Sequence, residues 1–178
     1  AANIGGPQLV AQDKKGPLTR AQIDELVKML DADALIVHLN VLQEAVQPEG
    51  DLRARGLEDA IRDLAKDLGV PVIAKETGAG MTRATAERLK QCGVKALDVG
   101  GLSGTTFAAV ETVRAHAEGR ADRERVGQLY RDWGIPTPVS VREAQVGLPV
   151  VATGGIAVAS GATYKLYISR SDLNPGLD

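Results

Sequence analysis

The chain has 178 residues, of which 44% are hydrophobic and 25% are charged, and its formal net charge is −2. This length and composition are typical of a single soluble domain with one core. Because the charge is nearly balanced, we predict neither a nucleic acid nor a membrane surface as a partner. No apolar run reaches the roughly 18 residues of a transmembrane helix. The single cysteine, Cys92, excludes an intramolecular disulfide and indicates a reducing compartment, so we predict a cytoplasmic location.

Strand-like and helix-like segments alternate along the chain. The chain opens with the end of a predicted strand, which stops at Ile4. Four further strands are predicted at residues 34–39, 70–74, 95–99 and 148–152. Helices are predicted between them at residues 19–30, 57–68, 82–92, 107–117, 123–132 and 137–147. This order places neighbouring strands parallel, with right-handed crossovers.

Two α/β architectures fit this order, an open doubly wound sheet and a (β/α)8 TIM barrel. Every predicted strand ends in its own polar or glycine-rich cluster, whereas an open sheet concentrates its ligand loops at one switch point. The pattern therefore favours the barrel. Because about five βα units at most are recognisable, too few to close eight strands, we predict a partial barrel. It forms one domain, residues 1–178, with an atypical tail at residues 157–178.

A dense group of polar residues follows the second predicted strand. The apolar run Ala34–Val37 leads into His38, Asn40, Gln43 and Glu44. Buried amides and carboxylates need hydrogen-bond partners or a ligand, so this segment is predicted to be a binding site. The alternative is a polar loop that caps its own backbone. Glu44 suits Mg²⁺, which takes one or two carboxylates and completes its shell with water and substrate phosphates.

Two further features at strand ends carry chemistry. Lys75 would be a costly lone charge unless it meets an anionic ligand or pairs with Glu76 or Glu44, and the sequence leaves these alternatives open. The pairs Gly100-Gly101 and Gly154-Gly155 allow close approach of the backbone to a ligand and present amides to phosphate oxygens.

Three other groups have simple interpretations. His38 is either a phosphate contact or a hydrogen-bonding group of the core. His116 has no comparable group of amide and carboxylate residues beside it in the sequence and is interpreted as a residue on the surface of a helix. Cys92 lies late in a predicted helix and is interpreted as a small buried residue rather than a nucleophile.

The run His38–Asp51 closely resembles the signature of type 2 isopentenyl diphosphate isomerases, which are flavin-dependent enzymes on a (β/α)8 barrel. Four more motifs follow in that family's order: Ala2–Gly5, Lys75–Met81, residues 98–101 with Gly104 and Thr105, and Ala152–Ile156. The resemblance covers about residues 1–156. It implies an enzyme that interconverts isopentenyl and dimethylallyl diphosphate with Mg²⁺ and with FMN that NADPH reduces. A homo-oligomer is expected.

The resemblance also implies roles for the polar segment. By position, His38 and Asn40 would bind the diphosphate of the substrate. Gln43 would orient the substrate near the flavin and is the expected catalytic residue, and Glu44 would hold Mg²⁺.

The same comparison of positions implies an FMN site. Asn3, Lys75 and Thr105 would contact FMN, with Lys75 near the ring edge that becomes anionic on reduction. Gly154 and Gly155 would approach the FMN phosphate.

The chain departs from the family pattern at both ends. The family's amino-terminal third, with an Arg-Lys-containing substrate segment and two barrel strands, is absent, and Ala157 stands where the family has an arginine. We expect that the protein begins upstream, and that the chain is a fragment, an altered gene product, or segments joined across gaps. Two alternative functions remain open: another FMN-dependent barrel oxidoreductase, and an inactive incomplete barrel completed by a partner chain.

Overall fold

A computed structural model describes residues 1–13, 15–47, 50–104 and 106–155. Within them the chain forms five strands, β1 (Ala2–Gly5), β2 (Leu35–His38), β3 (Val72–Lys75), β4 (Ala96–Asp98) and β5 (Val150–Val151). The helices are α1 (Arg20–Met29), α2 (Val41–Val46), α3 (Leu57–Asp67), α4 (Arg83–Gln91), α5 (Phe107–Ala117), α6 (Ala121–Leu129) and α7 (Thr137–Glu143), with a 3₁₀ turn at Gly6–Leu9.

The five strands form one parallel sheet in the order β1-β2-β3-β4-β5. This result confirms the predicted α/β class and parallel pairing, and it is compatible with a partial barrel. Along the carboxyl edge, one row of register partners runs through Gly5, His38, Lys75, Asp98 and Val151. Side chains in one row of a parallel sheet share a face, so the row positions the polar groups discussed below.

Successive side chains along each strand point to opposite faces of the sheet. Leu35, Val37, Val72, Ala74 and Leu97 are at most 1% exposed and belong to the main core. Helices α1, α3, α4 and α7 contribute apolar side chains to that core, namely Ile23, Ile61, Leu64, Ala86, Leu89, Val141 and Ala144. The intervening positions of β2 and β3, which include His38 and Lys75, are only partly buried. Among the described helices, none has the length and hydropathy needed to cross a membrane.

Local signals explain where the helices begin and end. Thr19 caps α1: its hydroxyl accepts a hydrogen bond from the Gln22 N–H at 3.3 Å, and the Gln22 side chain accepts one from the Thr19 N–H at 2.9 Å. These two reciprocal bonds form a capping box. The Thr82 hydroxyl caps α4 by accepting from the Thr85 N–H at 3.2 Å. Both α3 and α4 are followed by a glycine in the left-handed region.

Some boundaries differ from the prediction. The six-residue helix α2 forms inside the polar segment after Asn40, where no helix was predicted. Helix α7 begins at Thr137, the first residue of the predicted span, but the Thr137 hydroxyl does not cap the helix and instead donates to the Gly154 carbonyl at 2.7 Å. This helix also ends at Glu143, four residues before the predicted end. Thr105 and the atypical tail at 157–178 lie outside the described residues.

Candidate functional site

The carboxyl edge of the sheet brings together polar residues from neighbouring strands. His38 Nδ1 lies 2.7 Å from Asn3 Oδ1, and Lys75 Nζ lies 3.4 Å from Asp98 Oδ2. Strands β2, β3 and β4 pair in parallel, each with the next, so their carboxyl ends lie side by side along one edge of the sheet. The strand-end groups Asn3, His38 and Lys75 therefore converge, and Asp98 joins them.

Lys75 forms its ion pair with Asp98, and not with Glu76 or Glu44, the two partners that the sequence suggested. Its Nζ also donates to the Glu76 backbone carbonyl at 2.9 Å and to the Thr153 hydroxyl at 3.4 Å. The alternatives of a Glu76 or Glu44 ion pair are thus wrong, because the register places Asp98 beside Lys75 on the next strand. The Lys75 side chain remains 26% exposed.

Asp98 and Thr153 are site residues to which sequence reasoning assigned no role. The Thr153 hydroxyl donates to Asp98 Oδ1, and the Gly100 N–H donates to the same oxygen at 3.2 Å. The signal that could have found Asp98 is its position, since an aspartate at the end of a buried strand needs partners. Thr153 lies two residues beyond the end of β5.

The pKa of His38 is lowered below its usual value. Burial lowers the pKa of His38, the nearby Glu44 carboxylate raises it, and Lys75 lowers it, with burial the largest cause. When Asn3 Oδ1 accepts from Nδ1, Nε2 is left as an acceptor. A contact from Nε2 to a phosphate oxygen therefore requires the other tautomer, in which the Asn3 amide is turned to donate, or a protonated ring.

Asn40 and Glu44 form one hydrogen-bonded unit at the start of α2. Asn40 is 7% exposed and adopts a left-handed conformation with φ of 56°. Its Nδ2 donates to Glu44 Oε1 at 2.8 Å, while its Oδ1 accepts from the Thr77 hydroxyl at 3.2 Å. Glu44 Oε2 accepts from the Asp51 N–H at 2.7 Å. The carboxylate of Glu44 is thus oriented by two donors, and both polar atoms of the Asn40 amide are engaged.

Gln43 lies in α2, one residue before Glu44, and beside the loop after β3. It lines a narrow crevice together with Thr77, Phe107 and Trp133. Phe107 and Trp133 are large aromatic residues that are 41% and 63% exposed. The crevice therefore offers a partly apolar wall next to the polar edge.

The glycine pairs pack against the backbone of this chain. A Cβ added at Gly154 would lie 2.2 Å from the Gly101 carbonyl oxygen, and one added at Gly101 would lie 2.4 Å from Thr137 Cα. A Cβ at Gly100 would lie 2.0 Å from the Glu76 carbonyl oxygen. Contacts between the loops after β3, β4 and β5 thus already require glycine here, whether or not a ligand also approaches.

Glu76 is a further partly buried carboxyl group that sequence reasoning considered only as a partner for Lys75. Burial raises its pKa, and hydrogen bonds from the Thr77 and Ala79 N–H groups and the Lys75 charge oppose that rise. Glu76 also lines an open cavity of about 540 Å³ between the start of α3 and α4. That cavity is not lined by His38, Lys75 or Asp98, so it is separate from the strand-end site.

Two groups lie away from the site, as predicted. His116 is a surface residue with a 76% exposed side chain, and its Nδ1 lies 3.1 Å from Glu124 Oε2. Cys92 is 2% exposed, and burial raises the pKa of its thiol, so it is not an activated nucleophile.

The donor set can be tested against a metal. Across the described parts of the chain, no group of three or more His, Cys, Asp or Glu side chains could hold a metal ion. Glu44 therefore offers one oriented carboxylate rather than a closed cage. Such a donor fits Mg²⁺ that takes its other ligands from water and phosphate oxygens.

Comparison with known proteins gave similar proteins but no matching family model. The chain is 49% identical to an isopentenyl-diphosphate delta-isomerase of Thermoplasma acidophilum, over 91% of the chain and 48% of that protein. It is 47% identical to the protein of the same name from Methanosarcina barkeri, over 98% of the chain and 46% of the relative. For the Methanococcoides burtonii protein of that name, the identity is 56% over 75% of the chain and 37% of the relative. The chain spans about half the length of the curated relatives it matches.

Proposed function

We propose, from the premise that this chain is a homologue of the isopentenyl-diphosphate delta-isomerases, that the full-length protein interconverts isopentenyl and dimethylallyl diphosphate. The observation that carries the proposal is the row of His38, Lys75 and Asp98 at the carboxyl edge, inside the region of similarity. The reaction moves a double bond without net oxidation. The site must therefore hold a diphosphate while one carbon gains a proton and another loses one.

The fold supports a single-domain (β/α)8 barrel and the flavin-dependent type 2 form of the enzyme. The described strands follow one another in sequential order, and α1, α3, α4 and α7 all contribute to one core beneath them. In a doubly wound sheet the strand order would reverse at a switch point. In a barrel, side chains at the carboxyl ends of several strands share one mouth, as the polar row does.

Lys75 is suited to contact the isoalloxazine ring of FMN. Reduced FMN, with NADPH as reductant, would supply acid and base chemistry at the substrate carbons. Lys75 would lie near the ring edge that becomes anionic, because its side chain is partly exposed and Asp98 balances its charge in the free protein. Asn3 and Thr105 would contact the cofactor, and the loop Gly154-Gly155 would present amides to its phosphate.

Glu44, His38, Asn40 and Gln43 suit the diphosphate substrate. Mg²⁺, when bound, would neutralise part of the diphosphate charge. Glu44 would hold it through the carboxylate that Asn40 and the Asp51 N–H orient. His38 and Asn40 would contact the diphosphate, and Gln43 would turn the reacting end of the substrate toward the flavin from its crevice.

We also propose a cellular location and an oligomeric state for the enzyme. A buried, unreactive Cys92 suits the reducing cytoplasm. Exposed apolar side chains on α5 and α6, with Val113 71% and Leu129 74% exposed, support a homo-oligomer. Light scattering of the full-length protein would measure its oligomeric state.

Substitution of the proposed metal ligand tests the assignment. Glu44→Gln keeps one acceptor oxygen, for either Asn40 Nδ2 or the Asp51 N–H, and removes the charge, so the Mg²⁺ concentration for half-maximal activity should rise at least about tenfold. Flavin content, read from visible absorbance, should stay unchanged. Glu58→Gln, which removes the partner of Arg88 in an exposed ion pair, is the matched control. A Glu44→Gln protein that loses flavin with unchanged Mg²⁺ dependence would contradict the assignment.

The same preparation discriminates the oxidoreductase alternative. A colourless full-length protein that takes up no added FMN would refute any flavin-dependent function. Continuous NADPH consumption coupled to an oxidisable substrate, without isomerisation, would favour the oxidoreductase. The isomerase predicts reduction of the bound flavin once, followed by turnover that consumes no further NADPH.

A further inference from the structure

Asp98 is a buried charge whose two oxygens have different partners. It is 8% exposed, and an ionised carboxylate at that depth is costly unless it is paired and hydrogen-bonded. Oδ1 accepts from the Thr153 hydroxyl and from the Gly100 N–H, whereas Oδ2 faces Lys75 Nζ. The two donors on Oδ1 fix the carboxylate and leave Oδ2 directed at the ammonium.

Thr153 uses the whole hydrogen-bonding capacity of its hydroxyl in this arrangement. The single O–H hydrogen goes to Asp98, and the oxygen accepts from Lys75 Nζ at 3.4 Å and from the Gly100 N–H at 3.2 Å, which it shares with Asp98 Oδ1. A hydroxyl has one donor and two acceptor positions, so no capacity is left. Thr153 thus links β5 to the groups at the ends of β3 and β4.

The Lys75 ammonium consequently meets three acceptors from three strand ends. They are the Glu76 carbonyl at 2.9 Å, the Thr153 hydroxyl at 3.4 Å and Asp98 Oδ2 at 3.4 Å. A lysine side chain is long and flexible, and ordering it on ligand binding would cost conformational entropy. Acceptors on three elements order it before a ligand arrives, while the 26% of the side chain that stays exposed remains available.

We propose that Asp98 and Thr153 are positioning residues for Lys75, which hold its ammonium in one place so that it meets the anionic ligand preorganised. This inference deepens the proposed function and rests on it for the identity of that ligand. The contact network itself is a property of the ligand-free chain. Asp98 balances the charge when the site is free, and Thr153 sets the direction of Asp98.

The first experiment measures the reactivity of Lys75 in the ligand-free full-length protein. Acylation of Lys75 at one fixed alkaline pH is followed by mass spectrometry for wild type and for Asp98→Asn, Thr153→Val and Thr153→Ser. Loss of the opposite charge should speed labelling about fivefold in Asp98→Asn, and loss of the hydroxyl should speed it about twofold in Thr153→Val. Thr153→Ser retains the hydroxyl and should label as wild type does, as should the remote control Glu58→Gln.

Wild-type labelling rates in both Asp98→Asn and Thr153→Val would overturn the inference. So would equal acceleration in Thr153→Ser and Thr153→Val, since that would reflect a loosened loop rather than a lost hydrogen bond. Thr153→Val preserves size and charge, so it keeps the test decisive if Asp98→Asn does not fold. This readout needs neither FMN nor substrate.

The second experiment links the network to turnover. Thr153→Val should lower kcat several-fold with little change in KM for isopentenyl diphosphate, and it should have no further effect in a Lys75→Met background. An equal loss in both backgrounds would show that Thr153 acts independently of Lys75 and would overturn the positioning role. If Lys75→Met itself leaves turnover unchanged, the function proposed for Lys75 fails, while the labelling result still decides the contact network.

Discussion

Gly101→Ala tests whether the glycines at the strand ends are required by the packing of this chain. A Cβ at Gly101 would lie 2.4 Å from Thr137 Cα, 2.5 Å from Thr137 Oγ1 and 2.8 Å from Thr137 N. Two of these neighbours are backbone atoms at the start of α7, so no side-chain rotation relieves the contact. The backbone of Gly101 has no positive φ, so alanine adds steric overlap without conformational strain.

The size of the effect follows from the displacement that is required. Ordinary van der Waals contact begins near 3.4 Å, and the closest contact here is 2.4 Å, so α7 must move by a distance comparable to their difference. Overpacking of this kind costs about 1–3 kcal/mol. Movement of α7 would also disturb the bond from the Thr137 hydroxyl to Gly154, so we expect the upper part of that range.

Urea unfolding of the ligand-free full-length protein measures this cost. Gly16→Ala is the matched control, because nothing lies within 4 Å of a Cβ at Gly16, and it should stay within about 0.5 kcal/mol of wild type. Suppose that Gly101→Ala unfolds as wild type does but binds FMN or diphosphate more weakly. Close approach of a ligand would then explain the glycine, and the packing explanation would be refuted.

Three further changes have defined outcomes. Thr19→Ala removes the capping box of α1 and should lower the unfolding free energy by about 1 kcal/mol in urea; no change would contradict the cap. Because burial raises the pKa of Glu76, the folded state takes up that proton before the unfolded state does, so this group adds stability as the pH falls from neutral to mildly acidic. Glu76→Gln should lose that gain, and parallel stability curves for variant and wild type would refute the assignment. Asn40→Gly tolerates the positive φ but removes the amide that orients Glu44, so Mg²⁺ titration should give about tenfold weaker binding; unchanged affinity would contradict this role.

Much of the fold was predictable because its signals are local. Helix α1 carries its capping box in sequence, and α3 has apolar residues at helical spacing followed by a glycine. Helix α2 was missed because it starts from Asn40 in a left-handed conformation without a side-chain cap, and its six residues are too few for a periodic pattern. Asn40 at its start is held by hydrogen bonds with Glu44 and Thr77 instead.

The sequence predicted that candidate residues lie together at one edge of the sheet, but it did not predict which of them pair. Polar residues after buried strands indicate a shared edge, and Asn3, His38 and Lys75 do converge there. The partner of Lys75 depends on register, which local sequence does not reveal. The neighbouring carboxylate of Glu76 turns to the Thr77 and Ala79 N–H groups instead.

The most direct test of the account is conversion of isopentenyl diphosphate by the full-length protein with reduced FMN and Mg²⁺ in the absence of oxygen. The account predicts dimethylallyl diphosphate as the product, no net consumption of reductant, and strong loss of turnover in Lys75→Met and Glu44→Gln. A protein that binds FMN and Mg²⁺ yet leaves isopentenyl diphosphate unchanged would contradict it.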